Sequence, residues 1–393
     1  MKIPRLDIAQ QTFSHDIWKR FCSRYGEHRA RKLLDSLSKP IKQYAIRVTT
    51  TMVTRESMIE EFNELGWKTR PHKQLEEMFT VETKGPHMIP YLSRAPRIVL
   101  DKLAAESVLV GADLYGVGIK RVPKFEVGYV VSLISDKNQI IAIGESHIDS
   151  RTPKKHGLAV SNKHSLYNVP SLYNLGYIDS GKLYGQSIPA AYVSHVLDPK
   201  PNETIVDLCA APGGKSTGTA ILSNKKAKIV AFDRSKKRLS KMQKIVSSQM
   251  LDNIQLIQAN SINYFKDHTI HADKVIVDPS CTAIGVRPKI YDDTLIDDIH
   301  NSANYQKAFL WTANKIVRKS GFITYSTCTL APEENEKVVA YAVNELGLKL
   351  VVPDLKMGSS GEDTGDGLNL EAMRRFYPDI HDTPGFFVAK LTK

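Results

Sequence analysis

Cysteine is scarce in this chain: Cys22, Cys209, Cys281 and Cys328 are the only four in 393 residues. No two of them are spaced as CxxC or CxxxC, so neither a disulfide scaffold nor a zinc site is expected. Long hydrophobic runs are missing too. No apolar stretch approaches the roughly twenty residues needed to span a bilayer, and the opening MKIPRLDIAQQ has no apolar signal region. A cytoplasmic protein with no membrane partner and no metal is the expectation. Internal repeats and low-complexity tracts are absent, and only 24 % of residues are charged, an ordinary globular share. Acidic residues are outnumbered, and the net charge is +12. Much of that excess is local, because residues 1–50 hold eleven Lys or Arg against four Asp or Glu. A basic face of this kind suits a polyanion, although surface charge kept for solubility explains composition alone equally well.

The length allows two or three domains. Residues 14–36 show helical spacing, with Ile17, Phe21, Tyr25, Leu33 and Leu34 among many basic residues before Pro40. A strand over 44–50, an amphipathic helix over 56–67 and a strand over 76–82 complete a small basic α+β region, 1–95. Residues 96–170 change character. SVLVGADLYGVGI, GYVVSLIS and QIIAIGESHI are short, β-branched and punctuated by glycine, the pattern of a small β-barrel. From about residue 200 seven strand candidates appear: 204–208, 228–232, 254–258, 274–278, 322–326, 349–352 and 386–391. Most alternate with helical stretches, notably 235–249, 295–318 and 333–346. An α/β fold is therefore expected, a Rossmann-like open sheet with helices on both faces. Residues 171–199 read as a linker returning to the N-terminal region, and 356–368 as a mobile Gly-rich loop.

The strand TIVDL runs into Cys209, Ala210, Ala211, Pro212, Gly213, Gly214 and Lys215. Glycines there let the backbone approach a ligand, and the helix beginning near Lys215 offers free N–H groups. GGKS invites comparison with a phosphate-binding P-loop, but that motif needs glycine where Cys209 stands. At the end of the second strand Asp233 can accept hydrogen bonds from both hydroxyls of a ribose, or merely cap the helix that follows. Asn260, after the third strand, could reach an adenine edge. Without a GxGxxG, the site fits S-adenosylmethionine better than NAD.

Cys281 and Cys328 lie just past the fourth and fifth strands, where open sheets of this kind hold their ligands. A lone cysteine is most often a small buried hydrophobe; two of them, each in a polar loop after a strand, suggest chemistry. Carbon 5 of cytosine is a poor nucleophile until a thiolate adds at carbon 6 and makes the ring enamine-like. It can then take a methyl group from a sulfonium. Asp278, in DPSC, could hold the exocyclic amine and ring nitrogen 3 and stabilise the charge that develops. Cys209 is expected to pack or to offer backbone to the cofactor, and Cys22 to be inert.

DLCAAPGGKST, the aspartate after the second strand, DPSC and YSTCT, in that order, resemble the Sun/RsmB-type RNA cytosine-5 methyltransferases. The resemblance runs from about 184 to the end and implies a seven-stranded S-adenosylmethionine-dependent methyltransferase domain over 200–393. It implies Cys328 as nucleophile, Cys281 as the thiol that assists product release, and Arg238 as a further cofactor residue. Residues 96–170 resemble a PUA domain, an RNA-binding barrel, and the whole resembles the sixth Sun-domain subgroup. That subgroup methylates cytidine 72 of certain tRNAs, so the implied partner is the acceptor stem and CCA end of tRNA, bound by a monomer. Tyr115 is then expected to stack on the 3′ tail, with Arg121, Lys124, Lys154, Lys155 and basic residues of 1–50 on phosphates. The alternatives are an rRNA substrate, or an RNA-binding protein with weak catalysis. Two departures stand out. The usual DPPCSG is here DPSCTA, with Ser280, Thr282 and Ala283, and Asn260 replaces an acidic residue.

Overall fold

The computed structural model describes residues 13–149 and 157–393. It begins with α1 (His15–Tyr25) and α2 (Glu27–Leu37). The spacing predicts one helical stretch over 14–36, but Gly26 at φ 74° breaks it, a left-handed conformation that glycine adopts without strain. Ile17, Phe21, Leu33, Leu34 and Leu37 bury the shared face. Then come β1 (Gln43–Val48), α3 (Arg55–Glu64), β2 (Thr69–Pro71) and β3 (Met78–Glu82).

A middle domain follows, with β4 (Arg97–Leu100), α4 (Lys102–Val108), β5 (Leu114–Tyr115), β6 (Ile119–Arg121), β7 (Val130–Ile134), β8 (Ile140–Ser146) and β9 (Leu158–Ser165). Its six strands are ordered β5-β9-β8-β7-β4-β6 around Ile98, Leu100, Val131, Leu133, Ile141 and Val160. The chain next turns back. β10 (Leu183–Gly185) pairs antiparallel with β1, so the first sheet reads β10-β1-β3-β2. The segment expected as a linker thus supplies an edge strand, and then α5 (Ile188–Leu197).

The C-terminal part holds β11 (Thr204–Asp207), α6 (Gly214–Leu222), β12 (Lys228–Asp233), α7 (Lys236–Ser248), β13 (Ile254–Gln258), α8 (Ser261–Asp267) and β14 (Ala272–Val277). After these come α9 (Ile296–Ile316), β15 (Val317–Thr327), α10 (Glu336–Asn344), β16 (Lys349–Val351), β17 (Ser359–Ser360), β18 (Met373–Phe376), α11 (Pro378–His381) and β19 (Phe386–Thr392). The sheet order is β13-β12-β11-β14-β15-β19-β18-β17, with β16 also on β19. The first five of these strands run parallel and β19 is antiparallel to β15.

The sheet has nine strands rather than the expected seven. The missed β18 reads MRRF, and two adjacent arginines hide a strand from any apolar pattern. Arg375 is nonetheless fully buried, because it forks onto both oxygens of Glu336 at 2.6 and 2.5 Å. The other missed strand, β17, lies in the loop expected to be mobile. That loop is tied down: Gly361 N–H donates to Leu370 O, and Glu362 N–H to Glu336. Tyr25 and Tyr377 both donate to the Glu362 carboxylate.

The N-terminal basic residues also differ from expectation. Arg20 pairs with Glu333, Arg24 with Glu362 and Arg29 with Asp379, so much of this charge docks α1 and α2 onto the C-terminal part rather than facing a polyanion. Arg47 is buried, donating to Gln186 at 2.7 Å and to Thr217 on α6 at 2.6 Å. Burial pulls its guanidinium down to about 10, still charged at neutral pH. Lys2 and Arg5 lie outside the described residues.

Candidate active site

Four strand ends, those of β12, β13, β14 and β15, and the glycine turn after β11 build the site. A cavity of about 320 Å³ runs along them, walled by Cys209, Ala211, Pro212, Asp233, Arg238, Asn260, Asp278, Cys281 and Cys328. One cavity therefore reaches from the candidate ribose carboxylate to both thiols. A second, of about 220 Å³, lies against Ala210, Gly214, Lys215 and Tyr184 and shares Cys209 and Asp278 with the first.

The turn after β11 is closed from several sides. Ala210 N–H donates to Phe232 O at 2.8 Å, and Arg238 donates to Ala211 O. Gly213 sits at φ 113°, where a Cβ would come within 2.9 Å of Met242. The Asp207 carboxylate accepts from Ser216 Oγ at 2.6 Å and Cys209 N–H at 3.1 Å, and burial pushes it up to about 6. Burial, with three carboxylates near, pushes the Cys209 thiol well up. It stays protonated and is no nucleophile.

Lys215 does not reach toward a phosphate. Its ammonium meets Asp278 at 2.5 Å, and although burial alone would lower it, this partner holds it above the ordinary lysine range. The other Asp278 oxygen accepts from Ser326 Oγ at 2.7 Å. Each carboxylate oxygen keeps a second lone pair for a ligand. Ser326 has no place among the expected residues; its signal was its position in the YSTCT motif.

Asp233 is not the cap of α7. That role belongs to Ser235, whose hydroxyl accepts from Arg238 N–H. One Asp233 oxygen accepts from Ser235 N–H at 2.8 Å, while the other lies 3.4 Å from the Arg238 guanidinium at the cavity wall. Asn260 does cap a helix: its carbonyl oxygen accepts from Asn263 N–H at the start of α8. Its amide NH₂ remains a donor at the same wall. A buried carboxylate, a side-chain amide and a glycine turn along one cavity fit a nucleoside-bearing cofactor.

The two thiols meet. Cys281 Sγ and Cys328 Sγ are 3.3 Å apart, because β14 and β15 are adjacent and parallel. Hydrogen bonding from the Cys281 thiol holds Cys328 below the ordinary thiol range, against burial and with help from Lys215. The same contact pushes Cys281 well up, and burial adds to it. The contact thus sets the two sulfurs apart, Cys328 the more readily ionised and Cys281 the less.

The departures around Cys281 have structural readings. Thr282 keeps a hydroxyl, bonded to Thr329 Oγ1 at 2.9 Å and to Glu334. Glu334 also accepts from Thr282 N–H at 3.0 Å and Gln306 at 2.8 Å. Burial raises its carboxyl above the usual range. Ala283 stands at φ 55°, where glycine would be unstrained. Neither Glu334 nor Gln306 carries a sequence signal of its own.

Away from this cavity, Tyr115 is 44 % exposed on β5, and Arg121 and Lys124 are exposed near the end of β6. Lys154 and Lys155 lie outside the described residues. Cys22, on α1, is half-buried against a cluster that α1 and α2 share with the C-terminal part. Among the described residues no helix is long and apolar enough to cross a membrane.

Comparison with known proteins agrees with this layout. The family described as "16S rRNA methyltransferase RsmB/F" matches residues 194–392, and the PUA domain matches 96–166. The tRNA (cytosine(72)-C(5))-methyltransferase of Pyrococcus horikoshii is 35 % identical over 98 % of this chain and 97 % of its own. The human protein named tRNA (cytosine(72)-C(5))-methyltransferase NSUN6 is 26 % identical over 94 % of this chain and 92 % of its own. The solved structure of NSun6 from Pyrococcus horikoshii with SFG superposes with a TM-score of 0.87 at 36 % identity, covering 97 % of this chain and 98 % of that one.

Proposed function

The chain belongs to the RsmB/F methyltransferase family, and on that premise we propose how its residues share the reaction. It is an S-adenosylmethionine-dependent tRNA (cytosine-5)-methyltransferase, acting at cytidine 72. The observation that carries the assignment is the 3.3 Å contact between two strand-end thiols on the wall of the cavity that also holds Asp233 and Asn260.

Cys328 is the nucleophile. Its sulfur adds to carbon 6 of the cytosine, and the ring electrons move toward carbon 5. S-adenosylmethionine, when bound, supplies the electrophilic methyl group. Asp278, held by Lys215 and Ser326, accepts from the exocyclic amine and from a proton carried on ring nitrogen 3, and that proton neutralises the charge the addition develops on the ring. A base then removes the carbon 5 proton, the ring double bond re-forms and the Cys328 sulfur leaves; Cys281, 3.3 Å from that sulfur, assists this release of the product. Asp233 takes the ribose hydroxyls with Arg238 behind it, Asn260 faces the base, and the turn from Cys209 to Lys215 shapes the floor.

The chain divides into an N-terminal α+β part (1–95), a PUA barrel (96–170), a return segment (171–199) and the catalytic domain (200–393). Tyr115 stacks on the CCA tail, and Arg121, Lys124, Lys154 and Lys155 contact phosphates. The protein works in the cytoplasm as a monomer without a metal. Mass-spectrometric mapping of 5-methylcytosine in a tRNA transcript tests the reading. Loss of most product when the CCA tail is removed is expected, and equal methylation of both substrates overturns the acceptor-end assignment. Asp233→Ala should weaken S-adenosylmethionine binding by about 1.5–3 kcal/mol per lost hydrogen bond in calorimetry. Unchanged affinity would return Asp233 to a structural role.

A further inference from the structure

The loop that leaves Cys281 does more than carry a thiol. Within eleven residues it touches both the N-terminal part and the PUA domain. Gly285 N–H donates to the carbonyl of Cys328 at 3.0 Å, tying the loop to the second thiol. Arg287 donates to the carbonyls of Lys39 and Pro40, each at 2.8 Å, and Lys289 N–H to Leu37 O at 2.9 Å, at the end of α2. Ile290 then enters the PUA domain. Its side chain is buried in that domain's own hydrophobic core, and its N–H donates to Glu106 on α4 at 3.1 Å. The Tyr291 hydroxyl donates to Asp136 at 2.9 Å in the turn between β7 and β8, where Lys120 also pairs. Lys102 and Lys137 lie 5.1 and 4.9 Å from the Tyr291 ring.

We propose that Ala283–Asp292 is a ruler that fixes the PUA domain against the two thiols, and so sets which nucleotide of the 3′ strand reaches Cys328. The idea rests on the acceptor-end reading above. A base is presented for attack only if the distance from the held 3′ end to the thiols matches the intervening backbone. A flexible hinge would let that count vary by a nucleotide, since neighbouring phosphates on an extended strand are only a few ångströms apart. Here the connection is a short segment whose apolar side chain completes the other domain's core and whose polar groups are paired on both sides. Ile290 and Tyr291 lie outside the lining of the cavity that holds the thiols, so they are positioning residues.

The test uses the full-length protein and a tRNA transcript with cytosines on both sides of the target, with product positions mapped by mass spectrometry. Tyr291→Phe removes one oxygen and leaves the packing. Ile290→Ala loosens the anchor in the PUA core. In Tyr291→Phe the share of 5-methylcytosine at neighbouring cytosines should rise roughly fivefold, the factor that losing one hydrogen bond of ordinary strength allows, and in Ile290→Ala, which loses core packing, it should rise at least as much. A merely structural role would lower total yield and leave the position unchanged. If both variants mark only the wild-type position, whatever their yield, the ruler is wrong, and Tyr291→Phe alone decides it should Ile290→Ala fail to fold. Failure of the acceptor-end reading shows in the wild type, as indifference to the CCA tail; failure of the ruler shows only in the variants.

Discussion

The loop after β15 and the loop after β14 bring two sulfurs within 3.3 Å, yet they are built in opposite ways. The Cys328 loop is bonded largely within itself, and meets the Cys281 loop through Thr329 and the Cys328 carbonyl. Thr327 bonds to Asn335 at 2.5 Å, Asn335 donates to Thr329 O at 3.1 Å, and Ala331 N–H donates to the Thr329 hydroxyl at 3.2 Å. The Cys281 loop reaches outward. It holds a non-glycine residue at positive φ, takes its support from Glu334, and runs on to the N-terminal helices and the PUA domain. The contrast teaches that surroundings divide the labour. The loop with Lys215 beside its thiol carries the cysteine whose pKa is lowered, and the outward-wired loop carries the one whose pKa is raised.

Exchanging the thiols one at a time tests that division most severely. Cys328→Ala should abolish methylation and leave no covalent RNA. Cys281→Ala should form the adduct and stall, giving a shifted band on denaturing gels with labelled tRNA. The reverse pattern would exchange the two roles.

Glu334→Gln attacks the support that the Cys328 loop lends to Thr282 in the Cys281 loop. An amide there turns a donor toward Thr282 or Gln306, a mismatch of about 1–3 kcal/mol. Product release should slow and trapped adduct accumulate, while the pH dependence of adduct formation stays unchanged. A displaced pH profile would show that the two loops are not separable.

Lys215→Met attacks the Cys328 side. Activity that needs the Cys328 thiolate rises with pH through its pKa, so a pKa held low keeps the enzyme active nearer neutrality. Without the ammonium the rising limb should move to higher pH, costing roughly tenfold at neutral pH for each unit moved. An unmoved limb would leave Cys281, with Lys289, as the cause of the lowered Cys328. Asp278 also loses its partner, so the profile, not the plateau, is the readout.

Ala283→Gly should have the smallest effect. Relief of a left-handed alanine, about 1 kcal/mol or somewhat more, is partly offset by the greater freedom of glycine in the unfolded chain. Thermal unfolding should shift up slightly or not at all, with activity retained. A clear loss of stability would mean that the alanine methyl has a packing role.

The pattern of local order was readable wherever it repeats on a short period. All seven strand candidates after residue 200 recur as strands, and β14 and β15 are neighbours. The α/β class, the methyltransferase and PUA families and the cofactor class also follow from contiguous motifs. What escaped reading involves charge compensated at a distance. β18 carries Arg375 because Glu336 meets it from 39 residues away. The loop at 356–368 looks mobile until Glu362 is seen under Tyr25 and Tyr377. The N-terminal arginines read as a face for RNA until their carboxylate partners on the C-terminal part are in place.

The residues alone determined that two thiols end two strands beside a glycine turn, since strand, turn and helix signals act over a few neighbours. Only the tertiary structure decided that the sulfurs touch, that Lys215 serves Asp278 and that Ile290 belongs to another domain's core. Each of these joins residues tens to hundreds of positions apart. The free energy of such a contact depends on desolvation and on the partner supplied by the fold, which no local pattern in the chain encodes.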